Sequence, residues 1–382
     1  MPNQRKRNAI PPSNRSALPN HCRFAIKLAF DGTTYKGFQS QPHNNTIQDQ
    51  LEYKLRGLMR RHVGVLAWGR TDSGVHATGA VVTVDLTLEE VRQLAQRQRA
   101  IRTKQTMNKE GKTTSLDMPD QERAALFLHA VLKEFDCDVG LTANNADEFV
   151  IMPQTRFGSI TAQSIIPVPS EFDARYSAQW KRYVYYIMCA SGDGNKNATG
   201  ERITPSSPFA WNRYAWHVKQ SLDYEAMTEA AKLLGGREHN FEWLCIIQRG
   251  EMRDTRRTVK LRIEQVPIMN TDTEQLPYFL RQHEGINTLY KIECECDFFL
   301  YKMMRRIVGV LVSVGKHDAS IESLNQCIDD YDRWAGNENA EAHDRGVMVT
   351  PTVPDKLLHT APAKGLCLEH IEYGTEYTAT IT

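Results

Sequence analysis

The chain has almost no net charge. Its 47 Lys and Arg stand against 46 Asp and Glu, leaving +1 over 382 residues. No global field therefore advertises a nucleic acid, and any basic footprint must be local. Long apolar runs are also missing. Nothing approaches the ~20 residues that span a bilayer, so no membrane partner is expected. The 8 cysteines are scattered, and only Cys294 and Cys296 lie close together, on one face of an alternating run. No matching Cys/His pair sits nearby, which argues against a metal site and for reduced core thiols of an intracellular protein. A hydrolase built on Asp72 and His76 lacks a second carboxylate or nucleophile at a convincing spacing. With 41% hydrophobic and 24% charged residues the chain is an ordinary globular one, long enough for two domains.

The most distinctive stretch is Ala67-Trp68-Gly69-Arg70-Thr71-Asp72-Ser73-Gly74-Val75-His76-Ala77-Thr78-Gly79. Valine-rich runs, Val63 to Trp68 and Ala80 to Leu86, flank it and read as strand, polar loop, strand. Arg, Asp and His crowd the loop among glycines that let backbone approach a ligand closely. A guanidinium near Asp72 favours its charged form. The bland alternative is a glycine-rich hairpin with a surface ion pair.

Residues 1–23 contain Arg5, Lys6, Arg7, Arg15 and Arg23 and no acid, and read as a basic disordered arm. An organelle transit peptide or an RNA-touching tail would share that composition, although Pro2, Pro11, Pro12 and Pro19 spoil an amphipathic helix. Phe24 to Phe30 is a predicted strand. Thr46 is a predicted N-cap for a helix burying Ile47, Leu51, Leu55, Leu58 and Met59. Thr87 should cap a short helix from Leu88 to Gln96. Residues 102–121 read as an insertion loop, 139–153 as a strand-loop addition and 269–285 as a surface insertion. Ala124 to Phe135 reads as a helix burying Leu126, Phe127, Ala130, Val131 and Phe135. Strands are expected over Ser159 to Ile166 and Leu289 to Phe299. A helix is expected over Tyr224 to Leu234, and Ser191 to Pro208 reads as a loop. Alternation places Tyr183 and Tyr185 on one strand face and Arg182 and Val184 on the other.

Several motifs then resemble one family. Gly69-Arg70-Thr71-Asp72-Ser73-Gly74-Val75-His76 is similar to the signature of the TruA-type pseudouridine synthases, which isomerise uridine in tRNA. Asp31-Gly32-Thr33 through Gly37-Phe38-Gln39 resembles the family's Tyr-Asp-Gly-Thr…Gly-Trp-Gln, with Phe30 and Phe38 for Tyr and Trp. Phe172-Asp173-Ala174-Arg175-Tyr176-Ser177-Ala178 through Lys181-Arg182-Tyr183-Val184-Tyr185 resembles its Phe-His-Ala-Arg-Phe-Ser-Ala…Arg-Tyr-x-Tyr. His239-Asn240-Phe241, Met303-Met304-Arg305-Arg306-Ile307-Val308-Gly309 and Ala361-Pro362 with Gly365-Leu366-Cys367-Leu368 complete the set. Asp173, Asn240, Arg306 and Cys367 depart from the family's His, Asp, Asn and Tyr.

The resemblance implies an α+β fold of two ferredoxin-like (RNP-like) halves whose antiparallel sheets join around a central catalytic cleft. The corresponding division is the arm 1–23, a half over 24–150 and a half over 151–382. It implies Asp72 as the catalytic carboxylate, with Arg70 and Arg305 keeping it charged and Tyr183 forming a wall for the flipped base. Arg175, His76, Lys36, Gln39 and Arg182 become expected RNA contacts. It further implies no cofactor or metal, a homodimer, and RNA as partner. That RNA is tRNA at its anticodon arm or, for an assembly factor that keeps the fold with little catalysis, ribosomal RNA. The compartment is intracellular, and mitochondrial and cytoplasmic or nuclear placement both stay open.

Overall fold

The computed structural model describes residues 20–42, 45–106, 118–132, 140–143, 149–152, 159–190, 211–246, 254–266, 286–336, 351–374 and 377. Residues 1–19 of the basic arm expected over 1–23, the loop over 191–208 and the insertion over 269–285 lie outside the described residues, whereas His21 to Arg23 are not part of a disordered arm but open a strand, with Arg23 paired to Asp85. The fold is α+β. The described residues divide into two compact units, one within 1–73, 77–179 and 371–382 and one within 74–76 and 180–370. No helix is long and apolar enough to cross a membrane among the described residues.

In the first unit, β1 (His21–Phe30) lies antiparallel between β3 (His76–Thr87) and β6 (Ile160–Val168), and β2 (Val65–Ala67) pairs with β3. Pro167 is tolerated in β6 because, in this unit's sheet, that strand pairs on one side only. The pairing of β6 with β1 draws residues 159–168 into the first unit, so its compact boundary falls after residue 179 rather than at 150. Helix α1 (Ile47–Met59) starts where expected, with the Thr46 hydroxyl accepting from Asp49 N–H, and it buries Ile47, Leu51 and Leu55. Leu58 and Met59 are only half-buried.

Helix α2 (Leu88–Thr106) opens on a capping box: Thr87 N–H donates to Glu90 Oε2 at 2.8 Å and Glu90 N–H to Thr87 Oγ1 at 3.2 Å. It runs ten residues beyond the expected Gln96 and takes up the start of the 102–121 insertion. Its Gln, Arg and Ala residues are strong helix formers but carry no apolar stripe, so periodicity was silent. Helix α3 (Asp120–Leu132) exists, but its face is corrected. Ala124, Ala125, Leu128 and Leu132 are buried, whereas Leu126 and Val131 are exposed. Apolar residues occur around most of this helix, and packing on α2 and β6 selects the i, i+4, i+8 row. Within the expected strand-loop addition, β4 (Gly140–Ala143) pairs antiparallel with β5 (Phe149–Met152).

The second unit is built on β7 (Ala178–Ala190), flanked by the short parallel strand β8 (Trp216–Val218). Helix α4 (Tyr224–Leu234), capped by Asp223, is followed by a ribbon of β9 (Glu238–Asn240) and β10 (Arg256–Thr258). β11 (Lys260–Val266) and β12 (Ile286–Cys296) complete the sheet with β7, and β12 lies between the other two. Helix α5 (Met303–Gly315) is buried along nearly all its length, and α6 (Ile321–Gly336) packs near α4. β13 (Leu366–Tyr373) runs beside β7.

Register sorts the faces of this sheet. Cys294 opposes Tyr183, Ile292 opposes Tyr185 and Tyr290 opposes Ile187, all of them buried. Glu295 opposes Arg182 and Lys291 opposes Tyr186 on the other face. Tyr224 of α4 stacks on Tyr290 with ring centroids 6.0 Å apart, so the helices cover the apolar face.

Candidate active site

The loop from Trp68 to Val75 joins β2 to β3, and the chain passes from the first unit to the second just after Asp72-Ser73. Asp72 is half-buried and Arg70 exposed. Among the described residues no ion pair joins Arg70 to Asp72; the guanidinium faces solvent instead.

A second loop holds the Asp72 backbone. Phe38 N–H donates to the Thr71 carbonyl at 3.3 Å, and Ser73 Oγ donates to the Tyr35 carbonyl at 3.2 Å. Gly37 has φ +93°, and a Cβ there would sit 2.6 Å from the Thr71 carbonyl oxygen and 3.3 Å from the Asp72 carbonyl carbon. Only glycine permits that approach. The same loop accepts from the start of α1, with Ile47 N–H on Gly37 O at 3.2 Å and Gln48 N–H on Phe38 O at 2.9 Å. Underneath, Phe38 meets Trp68 edge-on at 4.8 Å and Phe30 at 6.2 Å. The Asp72 loop is thus fixed through main-chain bonds to a helix start and an aromatic core. Lys36 is exposed and Gln39 half-exposed on this bracing loop.

In the second unit a turn at 361–365 gathers several side chains. His76 Nε2 lies 3.2 Å from the Lys364 carbonyl and 3.1 Å from that of Arg213, and its ring packs 5.0 Å from Tyr214. Tyr185 donates its hydroxyl to the Pro362 carbonyl at 2.7 Å. Burial pushes the Tyr185 hydroxyl far above its ordinary range, with Arg305 pulling it down more weakly. Arg305 Nε donates to the Ala361 carbonyl at 2.7 Å, and Ala361 N–H returns a bond to the Arg305 carbonyl at 3.0 Å. Gly309, one turn on, lets the His359 backbone lie against α5, where any Cβ would overlap the carbonyl. Arg305 is therefore oriented by two bonds to one residue, and His76 rests on the same turn. Tyr183 is buried, with Phe299 edge-on at 4.8 Å.

The remaining expected contacts sit apart from these. Arg175 is exposed above the Tyr176 ring at 5.5 Å. Arg182 lies on the sheet face opposite Tyr183, with Glu295 at 2.6 Å and Glu369 at 3.7 Å. The Glu295 hydrogen bond, more than any other influence, raises the Arg182 pKa. Lys291 and Glu293, 2.6 Å apart, extend this lattice of alternating charge. Among the described residues no group of three His, Cys, Asp or Glu could hold a metal ion.

The family model for tRNA pseudouridine synthase matches residues 230–350. A tRNA pseudouridine synthase A of Halalkalibacterium halodurans is 29% identical over 84% of this chain and 89% of its own length. That of Shouchella clausii is 27% identical over 92% and 94%. A tRNA pseudouridine synthase A 2 of Clostridium perfringens is 27% identical over 91% and 98%. The chain is similar to these tRNA pseudouridine synthases over most of its length.

Its departures from the TruA-type pattern fall on residues with structural work. Asp173 Oδ1 accepts from Arg175 and Tyr176 N–H at 2.8 and 3.0 Å, closing a turn. Asn240 accepts from Thr255 Oγ1 at 2.6 Å and donates Nδ2 to the Tyr331 carbonyl at 3.3 Å, which an Asp could not do. Arg306 Nη1 donates to the Trp243 and Cys245 carbonyls at 3.1 and 2.9 Å, satisfying the end of a 3₁₀ turn. Cys367 is half-buried with its thiol toward the Leu368 carbonyl. The TruA-type motifs did not single out Tyr185 or the 361–365 turn as supports. Periodicity had marked Tyr185 as a face-mate of Tyr183, and that was the available signal.

Proposed function

We propose that this protein is a tRNA pseudouridine synthase that uses Asp72 as its catalytic carboxylate. The observation that carries this reading is the Asp72 loop, half-buried and pinned by main-chain bonds to the Gly37 loop, within a chain similar to tRNA pseudouridine synthases over most of its length. The reaction breaks the uridine C1′–N1 bond, turns the uracil and forms C1′–C5; the proton lost from C5 is balanced by one gained at N1. A rigid, ionised carboxylate suits this, because misplacement by ~1 Å can cost a hundredfold in rate. Arg305, oriented by Ala361, supports the carboxylate's charge, and exposed Arg70 is placed for an RNA phosphate. Tyr183, braced by Phe299, forms the wall for the uracil that leaves its stack. Arg175, Lys36 and Gln39 offer exposed polar contacts for RNA, and His76 acts by fixing the loop end. The target is a uridine of the anticodon arm, the two units correspond to ferredoxin-like halves, and the enzyme works as a homodimer in an intracellular compartment. Retention of Asp72, Arg70, Tyr183 and Arg305, with the departures confined to scaffold positions, supports an active enzyme over a non-catalytic assembly factor.

The test is Asp72→Asn, nearly isosteric, in a single-turnover assay of pseudouridine formation on transcribed tRNA. Isomerisation should vanish while tRNA affinity stays within about threefold, because phosphate contacts dominate binding. Turnover by purified Asp72→Asn overturns the assignment.

A further inference from the structure

Between β12 and α5 the chain turns through Asp297-Phe298-Phe299-Leu300-Tyr301-Lys302, and two of its aromatic rings are left in solvent. Phe298 is 38% exposed and Tyr301 44% exposed. Each has a cation above it: Arg257 lies 5.4 Å from the Phe298 ring and Lys302 5.4 Å from the Tyr301 ring. The rings are held outward by the backbone. Arg257 Nε donates to the Phe298 carbonyl at 2.9 Å, Phe298 N–H to Asp297 Oδ1 at 2.7 Å, and Ile246 N–H to the Tyr301 carbonyl at 3.1 Å. Leu300, 5% exposed, anchors the turn, and Phe299 points the other way onto Tyr183 at 4.8 Å. One short turn therefore braces the Tyr183 ring and presents a ring on either side of that brace. Three residues of chain keep the Cα atoms of Phe298 and Tyr301 within about 10–11 Å of each other.

We propose that Phe298 and Tyr301 are stacking platforms for unpaired ribonucleotides flanking the target uridine. The proposal rests on the reading of the substrate as RNA. An exposed π-face beside a fixed cation takes a base by stacking and its phosphate by charge, without sequence preference. The turn's acid, Asp297, keeps its charge while accepting the Phe298 N–H, and the two cations over the rings, Arg257 and Lys302, outnumber it. Aromatic rings with Arg also mark protein-binding surfaces. Here both rings are paired with cations, which favours a polyanion with π-faces. Because the turn is already bonded in place, little ordering cost is left to binding.

The experiment measures binding of a short single-stranded ribo-oligonucleotide, and of its duplex, to the full chain carrying Asp72→Asn, so that turnover plays no part. Phe298→Leu and Tyr301→Leu should each weaken single-strand binding roughly ten- to a hundredfold and duplex binding far less. The dependence of log K on log salt should keep its slope in both, because no phosphate contact is removed. Lys302→Ala should lower that slope by about 0.7. Tyr301→Trp, which keeps an aromatic face, should bind at least as well as the parent. Leu variants that bind within twofold of the parent overturn the proposal and leave the edge to a protein partner. Equal losses for single strand and duplex, or loss in Tyr301→Trp as well, overturn it too. Failure of the isomerase reading appears separately, as absence of pseudouridine with the wild-type chain. Failure of this proposal alone appears as full isomerisation of tRNA by Phe298→Leu/Tyr301→Leu.

Discussion

Gly37→Ala puts the support of the Asp72 loop to a quantitative test. Gly37 has φ +93°, where an L side chain is strained by about 1–2 kcal/mol. The new Cβ would also lie 2.6 Å from the Thr71 carbonyl oxygen, and the atom it meets is backbone. Overpacking of that kind costs about 1–3 kcal/mol. The sum is a destabilisation of about 2–5 kcal/mol if the loops stay in place. The alternative is for residues 71–73 to retreat by roughly 1 Å, from 2.6 Å to ordinary contact distance. Retreat carries the Asp72 backbone with it and should lower the isomerisation rate by up to about a hundredfold. Urea unfolding and single-turnover pseudouridine formation, measured on the same preparation, divide the cost between the two. At least one must move substantially. A Gly37→Ala chain within about 0.5 kcal/mol of wild-type stability and threefold of its rate would refute the packing argument. It would also refute the claim that the Gly37 loop positions Asp72.

Two further outcomes follow from the same contacts. Arg305→Lys should recover little activity, with kcat/KM down at least tenfold and tRNA affinity near wild type, because a point charge cannot reproduce the Nε bond to the Ala361 carbonyl that orients the fork; full activity of the Lys variant would reduce the role of Arg305 to generic charge. Burial pushes the Glu90 carboxyl up, but the Arg61 guanidinium and the Thr87 N–H and hydroxyl more than offset it, so its folded pKa is depressed. Its stabilisation is complete above the unfolded carboxyl range and is lost as pH falls through the lower folded value; acid melts of wild type and Glu90→Gln should therefore stay apart down to about pH 4 and draw together only in stronger acid, and curves that coincide at neutral pH would count against the capping box as a source of stability.

Much of the fold was legible where the signal is local. Thr46 and Thr87 are caps because a hydroxyl three residues ahead of an amide can satisfy it whatever the rest of the chain does. Tyr183 and Tyr185 share a face because strand alternation is geometric. The misread face of α3 has the opposite cause. Leu126, Phe127 and Val131 are as apolar as Leu128 and Leu132, and only the positions of α2 and β6 decide which row is buried. Arg182 shows the same limit at the candidate site. Its basic, aromatic neighbourhood in sequence points to RNA, yet Glu295 reaches it from more than a hundred residues away and takes up its charge. In the sequence Gly37 is one residue of a motif; that it lies against the Asp72 peptide is a tertiary fact no spacing encodes.

The departures from the TruA-type pattern can be ordered by what each position has to supply. In the mechanism we propose, Asp72 has to supply a negative charge of fixed length and Tyr183 a π-face, so few side chains would serve at either position. At Asn240 and Arg306 the requirement is only that buried carbonyls and hydroxyls find partners. Asn240 meets it with one donor and one acceptor, and Arg306 meets it with a guanidinium reaching two carbonyls of a 3₁₀ turn. Leaving such a carbonyl unpaired costs about 1–3 kcal/mol, but any donor of adequate reach removes that cost. Positions of the second kind can therefore drift while the reacting set stays intact. That is the arrangement expected of an enzyme that has changed its scaffold, and a fold kept only for binding would place no such restriction on Asp72.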